Sequence, residues 1–151
     1  MSSSVQFTLN TASPTEIAEH LHRCDDAFVP PLSTRVEIDG YARKIGRRAE
    51  RFEAWAGGTL VGLVAAYLND QDRRLGYVTN VSVEAGFRRT GIASELMTEC
   101  IESTRQRGFG GIELEVDSAN AAAIDLYTNH GFAVCGVPGR TIVMRLQTGR
   151  G

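Results

Sequence analysis

The chain has 151 residues, 42% of them apolar, and no shift in composition marks an internal boundary. This length can bury a sizeable core, so we expect a single domain over residues 1–151. A formal net charge of -2 argues against a nucleic-acid partner, and the longest apolar run, Leu60 to Leu68, is too short to span a membrane.

The N-terminal third predicts one strand and two helices. Val5 to Leu9 has strand character, and Ser13-Pro14-Thr15-Glu16 is typical of a capped helix start, which predicts a helix to about Ala27. Pro30 and Pro31 then interrupt any helix, and a second short helix is predicted from about Tyr41 to Arg48.

The remaining elements alternate between strand and helix. Gly57-Gly58 predicts a hairpin, and Ile92 opens a helix whose apolar face continues through Cys100. Gly131 is expected to end the last helix as a left-handed cap. The predicted strands are Arg51–Ala56, Thr59–Tyr67, Tyr77–Val83, Ile112–Val116, Phe132–Val134 and Thr141–Leu146, and the last helix is Ala121–Asn129. This order predicts an α/β fold with a mixed sheet.

Three cysteines are widely spaced and odd in number, with no Cys-x-x-Cys pair. They suggest neither a disulfide framework nor a zinc site, so we expect reduced thiols, Cys100 in the core and no metal. Met1 to Ser4 lacks the basic start and apolar stretch of a secretory signal, which predicts a cytoplasmic protein.

The turn between the strand ending at Val83 and the helix beginning near Ile92 indicates an anion-binding site. A helix start leaves its first backbone N–H groups unpaired and carries a partial positive charge. Gly91 allows a ligand to approach the backbone closely because it has no side chain. We therefore expect a diphosphate to bind at this turn.

Residue content separates three designs of phosphate-binding turn. A Walker-type loop needs a lysine after its glycines, but the only lysine is Lys44, far from any glycine-rich turn. A dinucleotide-type turn needs Gly-x-Gly-x-x-Gly, and no three glycines have that spacing. What remains is Arg88-x-x-Gly91-x-Ala93 after a valine-rich strand.

This pattern resembles the acyl-CoA-binding signature of the GNAT N-acetyltransferase family, Arg/Gln-x-x-Gly-x-Gly/Ala. The segment from Asn120 to Phe132 is similar to a second signature of that family, Asn-x-x-Ala-x-x-Leu-Tyr-x-x-x-Gly-Phe, and meets every specified position. The resemblance covers roughly Trp55 to Leu146. It implies a mixed central sheet of six or seven strands, about four flanking helices and a splayed pair of central strands.

The resemblance also implies acetyl-CoA as co-substrate. Its diphosphate should rest on backbone N–H groups from Arg89 to Ala93, and its pantetheine arm should pair with the strand at Val81 and Val83 like an added strand. Asn120 is expected either to cap its helix or to contact a cofactor amide, and both roles are compatible. The predicted cofactor-binding residues are Val81, Val83, Arg88, Arg89, Thr90, Gly91, Ile92, Ala93, Ser94 and Asn120.

Two residues are the candidates for proton transfer. At the position of the family's tyrosine, Tyr127 can protonate the departing sulfur as a general acid, although its spacing also suits core packing. No carboxylate occurs from Tyr77 to Val83, where many relatives have a glutamate. Glu115 resembles the base of the ribosomal-protein alanine branch, but it could instead be solvated together with Glu113. A water relay through Asn80 or Thr79 is the competing hypothesis.

The acceptor amine is not identified by the sequence. The short chain favours a small-molecule amine as the acceptor. An amino sugar is the leading example, because Thr79, Asn80 and Ser82 could bind its hydroxyl groups. An N-terminal protein acetyltransferase is the alternative from the same family, and a non-catalytic acyl-CoA-binding regulatory domain is the alternative of another class. The sequence does not reveal the oligomeric state, but members of the family often pair through their C-terminal strands, so the resemblance is compatible with a homodimer.

Overall fold

A computed structural model describes residues 4–149, in which seven strands form one mixed sheet. The strands are β1 Val5–Leu9, β2 Glu50–Ala56, β3 Thr59–Tyr67, β4 Leu75–Val83, β5 Gly111–Asp117, β6 Ala133–Cys135 and β7 Thr141–Gln147. They lie in the order β1-β2-β3-β4-β5-β7-β6. The helices are α1 Pro14–Cys24, α2 Ile38–Arg48, α3 Ile92–Gln106 and α4 Ala121–Asn129. The predicted mixed fold is confirmed.

Side-chain caps explain where the first two helices begin. Ser13 Oγ accepts the Glu16 N–H at 3.1 Å, and Glu16 Oε1 accepts the Ser13 N–H at 2.9 Å, so the predicted capping box is present. Helix α1 ends at Cys24 and continues as a 3₁₀ turn to Ala27. Helix α2 begins at Ile38, earlier than predicted, because the Glu37 carboxylate accepts two N–H groups of its first turn.

The sheet separates two apolar layers. Helices α1 and α2 pack on one face through residues such as Ile17 and Ile45, and α3 packs on the other through residues such as Leu96. A Cβ on Gly62 of β3 would lie 2.7 Å from Ile92 Cγ2 and 3.3 Å from Leu96 Cδ1. Gly62 therefore lets the start of α3 lie directly against the sheet.

One carboxylate is fully buried and joins β2 to the β1–α1 connection. Glu53 accepts hydrogen bonds from Thr8 Oγ1 at 2.8 Å and from the N–H groups of Thr11 and Ala12, both at 2.9 Å. Arg51 Nε lies 3.4 Å from Glu53 Oε2, the oxygen that also accepts the Ala12 N–H. These partners compensate the loss of hydration that a buried charge suffers.

The central strands β4 and β5 are splayed, as predicted. Their parallel pairing covers only Leu75 to Tyr77 opposite Gly111 to Glu113. Beyond it, Asn80 pairs with Ala65 and Val78 with Ala66, so Thr79 is an extra residue that forms a bulge in β4. The Tyr41 hydroxyl donates to Thr79 O at 2.6 Å, which ties α2 to the bulge. Because the pairing with β5 stops at Tyr77, the edge of β4 beyond this residue is left open.

No helix within residues 4–149 has the length and apolarity needed to cross a membrane. Across the same residues, no group of three or more His, Cys, Asp and Glu side chains is placed to hold a metal ion. The cysteines are free, and Cys100 lies in the core as predicted.

Candidate active site

The N-terminus of α3 differs from the other three helix starts because no side chain caps it. Ser13, Glu37 and Asn120 cap α1, α2 and α4, whereas Gly91 precedes α3 with φ 85° and no side-chain bond. The first bond of α3 runs from Glu95 N to Gly91 O at 3.0 Å. The earlier N–H groups have no protein partner among residues 4–149, which makes this end a place where an anion can bind.

The turn before α3 is held in a shape that supports this role. Arg89 is a non-glycine residue in the left-handed region, with φ 62°. Arg88 Nε donates to Val83 O at 3.1 Å, and the Thr90 hydroxyl donates to Phe87 O. Arg88 is therefore directed along β4, and Arg89 is exposed beside the free N–H groups.

A cavity of about 540 Å³ runs from this turn along β4. The open edge of β4 supplies main-chain groups, and Phe28, Phe87 and Leu126 supply apolar contacts. An extended ligand with an anionic end, amides and methylene groups would match these surfaces. The residues that line this cavity are Cys24, Ala27, Phe28, Val81, Ser82, Val83, Phe87, Arg88, Arg89, Gly91, Ile92, Ala93, Ser94, Ala122, Ala123 and Leu126.

A second cavity of about 160 Å³ lies in the gap between β4 and β5. It shares Phe28, Val81 and Leu126 with the first cavity, so the two adjoin. The structure brings both predicted catalytic residues, Glu115 and Tyr127, to this smaller cavity. Its polar lining residues are Arg35, Thr79, Asn80, Glu115, Asp117, Asn120 and Tyr127.

Tyr127 has both a core ring and a hydroxyl at the cavity. The residue is 7% exposed, and its ring centroid lies 6.0 Å from that of Phe132. The residue lines the smaller cavity, and its hydroxyl is not among the buried unpartnered polar atoms of residues 4–149. Burial raises the pKa of Tyr127 to about 12, so the phenol carries a proton at neutral pH and can donate it.

Glu113 and Glu115 lie on the same face of β5 but have different partners. Glu113 accepts two bonds from Arg145, at 2.8 and 2.6 Å. Glu115 is exposed and forms no salt bridge with a residue in the described part of the chain. The pKa of Tyr77 is raised to about 12, first by burial and second by the negative charge of Glu115, because the two side chains are neighbours. Within the described residues, Glu115 is therefore the carboxylate of the pair that has no cationic partner.

Two other predicted residues have definite partners. Asn120 Oδ1 accepts the Ala123 N–H at 3.2 Å and lines the smaller cavity, so it caps α4 at the edge of the site. Ser94 Oγ lies 3.0 Å from His130 Nε2, which links the first turn of α3 to the end of α4. Burial lowers the pKa of His130.

Sequence reasoning missed one buried group, His20. The sequence alone assigned no role to this residue, yet His20 is fully buried and bonds to Ser82 of β4 at 2.9 Å. The signal was available, because His20 shares the helical spacing of the buried residues Ile17, Leu21 and Cys24. Cys24 lines the larger cavity, and burial raises the pKa of its thiol to about 11.

Comparisons with known proteins agree with this geometry. Residues 14–132 match the family model described as acetyltransferase (GNAT) family. Streptothricin acetyltransferase of Streptomyces lavendulae is 38% identical over 82 residues, which are 54% of this chain and 43% of the relative. The [ribosomal protein bS18]-alanine N-acetyltransferase of Escherichia coli K12 is 26% identical over 83% of this chain and 80% of that protein.

A solved structure shows the same fold. The ribosomal-protein-S18-alanine N-acetyltransferase from Escherichia coli superposes with a TM-score of 0.77 at 23% identity, covering 97% of this chain and 96% of the other. The chain spans less than half the length of the streptothricin relative.

Proposed function

Because this chain belongs to the acetyltransferase (GNAT) family, we propose that it transfers an acetyl group from acetyl-CoA to the primary amine of a small molecule. One observation carries the proposal. The uncapped start of α3 opens onto a cavity that adjoins the smaller cavity lined by Glu115 and Tyr127. We also propose that residues 1–151 form one catalytic domain.

The coenzyme would be held mainly by backbone groups. The free N–H groups from Arg89 to Ala93 would bind its diphosphate, with the Arg88 and Arg89 side chains and Ser94 beside it. The open edge of β4 at Val81 and Val83 would pair with its pantetheine amides. Asn120 would add an amide contact at the edge of α4.

Two side chains would move protons during transfer. Bound acetyl-CoA would supply an activated acyl group as a thioester. Glu115 would accept a proton from the amine, directly or through a water held at Thr79 or Asn80. Tyr127 would donate a proton to the departing sulfur. A backbone N–H near Val83 would stabilise negative charge on the carbonyl oxygen.

Direct attack by the amine is favoured over transfer through the protein. Cys24 is the only thiol that lines the larger cavity within residues 4–149, and its raised pKa, about 11, keeps it protonated at neutral pH. A protonated thiol is a poor nucleophile. Cys24 is thus unsuited to carry an acetyl group.

One relative favours a small acceptor. Streptothricin acetyltransferase bears the name of a small molecule, whereas the smaller cavity, about 160 Å³, can hold the amine end of a small molecule or of a peptide. The second candidate is acetylation of a protein N-terminus, favoured by the bS18-alanine relative and by Glu115 and Tyr127 at the same cavity. A homodimer and a cytoplasmic location stay predictions.

An acceptor panel tests the proposal. Release of the CoA thiol is measured with streptothricin, an amino sugar, or a peptide that begins with alanine. We expect turnover with at least one small amine and none with the peptide. Turnover of the peptide alone would establish the second candidate. Acetyl-CoA binding without turnover of any amine would instead indicate a regulatory binding domain.

Matched variants test the two catalytic assignments. Glu115→Gln should lower turnover by about 10²-fold or more, and Tyr127→Phe by about tenfold or more, with little change in acetyl-CoA binding. Glu113→Gln is the control, because Glu113 lies on the same strand face but is paired with Arg145. Equal turnover in all three variants and the unmodified protein would refute the assignments.

A further inference from the structure

A buried series of polar groups connects α1 to the smaller cavity. His20 is 0% exposed, with Nδ1 3.1 Å from Leu60 O and Nε2 2.9 Å from Ser82 Oγ. Ser82 Oγ lies 2.8 Å from Oδ1 of Asn80, and both residues are less than 9% exposed. Asn80 lines the cavity that also contains Glu115 and Tyr127.

The available protons restrict how these groups can bond. The Leu60 carbonyl can only accept, so His20 Nδ1 must carry a proton. A neutral imidazole then presents only a lone pair at Nε2, and the single Ser82 proton is donated there. Ser82 Oγ can thus only accept from Asn80. An oxygen facing Ser82 would fit only if the imidazole carried two protons.

A doubly protonated His20 is unfavourable in this position. Burial lowers the pKa of His20 to about 4, and the nearby charges of Arg23 and Glu84 pair with each other. The adjacent Cys24 is a neutral thiol at pH 7. A half-turn of the Asn80 amide exchanges its nitrogen and oxygen without changing its shape, and it lets Asn80 Nδ2 donate to Ser82 while Ser82 donates to His20.

We infer that the Asn80 amide is turned so that Nδ2 donates to Ser82 and Oδ1 faces the smaller cavity, where it accepts an N–H of the acceptor amine. This inference rests on the proposed function for its substrate. His20 is then a positioning residue, because its proton on Nδ1 fixes the direction of every later bond in the series.

The position of Asn80 is compatible with this role. Asn80 is 4% exposed, but it lines the smaller cavity, and the Tyr41 hydroxyl lies near its amide. The amide atom turned away from Ser82 is the one that can face this cavity. An oxygen there, together with Glu115, could hold two N–H bonds of one amine and so orient its lone pair.

The first test measures protonation and orientation without requiring activity. Long-range ¹H–¹⁵N spectra of the full chain at pH 7 should show His20 neutral with its proton on Nδ1. The Asn80 side-chain NH₂ should give contacts to the Ser82 β-protons. The exposed His22 on the same helix provides a reference signal. An imidazolium, a proton on Nε2, or an NH₂ directed away from Ser82 would overturn the inference.

The second test separates amine binding from coenzyme binding. Asn80→Leu, close in shape but unable to bond, should raise the KM for the amine about tenfold and leave the KM for acetyl-CoA unchanged. His20→Asn and Ser82→Ala should change the amine KM in the same direction, whereas His22→Asn should not. An unchanged amine KM in Asn80→Leu would overturn the inference.

The two tests distinguish this inference from the proposed function. If no amine is acetylated, the proposed function fails, while the spectra still decide how Asn80 is oriented. If amines are acetylated but the spectra show Oδ1 toward Ser82, only the present inference fails.

Discussion

Replacement of Gly91 by alanine is the sharpest test of the anion site at α3. Gly91 has φ 85°, and a Cβ there would meet no atom within 4 Å, so the substitution adds strain without a collision. A left-handed alanine costs about 1–2 kcal/mol, partly offset by the lower entropy of the unfolded chain. A net loss near ~1 kcal/mol corresponds to a Tm lower by about 2–4 °C in a domain of this size.

The same methyl group should weaken coenzyme binding. It would lie in open space at the residue that precedes the free N–H groups of α3, where the diphosphate is proposed to lie. We expect the Kd for acetyl-CoA to rise at least about tenfold, which is roughly 1.4 kcal/mol, measured by titration calorimetry beside thermal unfolding.

Gly86→Ala is the matched control. Gly86 precedes the same turn, has open space around its Cα, and is not in the left-handed region. We expect neither Tm nor Kd to change appreciably. If Gly91→Ala lowers Tm but binds acetyl-CoA with unchanged affinity, the coenzyme does not bind at this helix start. An unchanged Tm would contradict the reasoning about strain.

Three further predictions concern stability, each measured by urea unfolding. Glu53→Gln should cost about 2–4 kcal/mol, because an amide NH₂ would face donors that now bond to a carboxylate; a cost below that of Glu113→Gln would contradict this. Gly62→Ala should lower the free energy of unfolding by about 1–3 kcal/mol, because the added methyl group would collide with Ile92 at the start of α3. It should also weaken coenzyme binding. Unaltered stability would show that α3 can shift freely. The third prediction concerns pH, because the pKa of His20 is about 4 in the folded protein and about 6.5 in the unfolded chain. Between these two pH values the unfolded state binds more protons than the folded state. The free energy of unfolding should therefore fall by up to ~3 kcal/mol as the pH drops from 6.5 to 4. A similar acid dependence in His20→Asn would refute that assignment.

Local chemistry explains why much of the fold could be predicted. The Ser13 capping box, the Gly57-Gly58 turn with φ 56° and 77°, and the left-handed Gly131 depend on a few adjacent residues, and all three are present. The start of α2 was missed because a glutamate, Glu37, caps it, and glutamate is an uncommon N-cap residue.

The site was less predictable where partners are distant in sequence. Glu115 and Tyr127 could be chosen from a signature, but nothing local shows that Arg145 neutralises Glu113 and leaves Glu115 free. The bonds from His20 reach residues 40 and 62 positions away, so sequence spacing alone cannot indicate them. Their geometry exists only once α1 packs against the sheet.

The bond from Tyr41 to the bulge has a consequence for attempts to redesign amine preference. The segment 28–41 lines the smaller cavity through Phe28, Val29 and Arg35. Its last residue, Tyr41, bonds to Thr79 of β4, the strand proposed to bind the coenzyme. Grafting a different 28–41 segment to admit another amine would therefore disturb β4 as well. Selectivity for the amine and affinity for acetyl-CoA are therefore expected to change together in this protein.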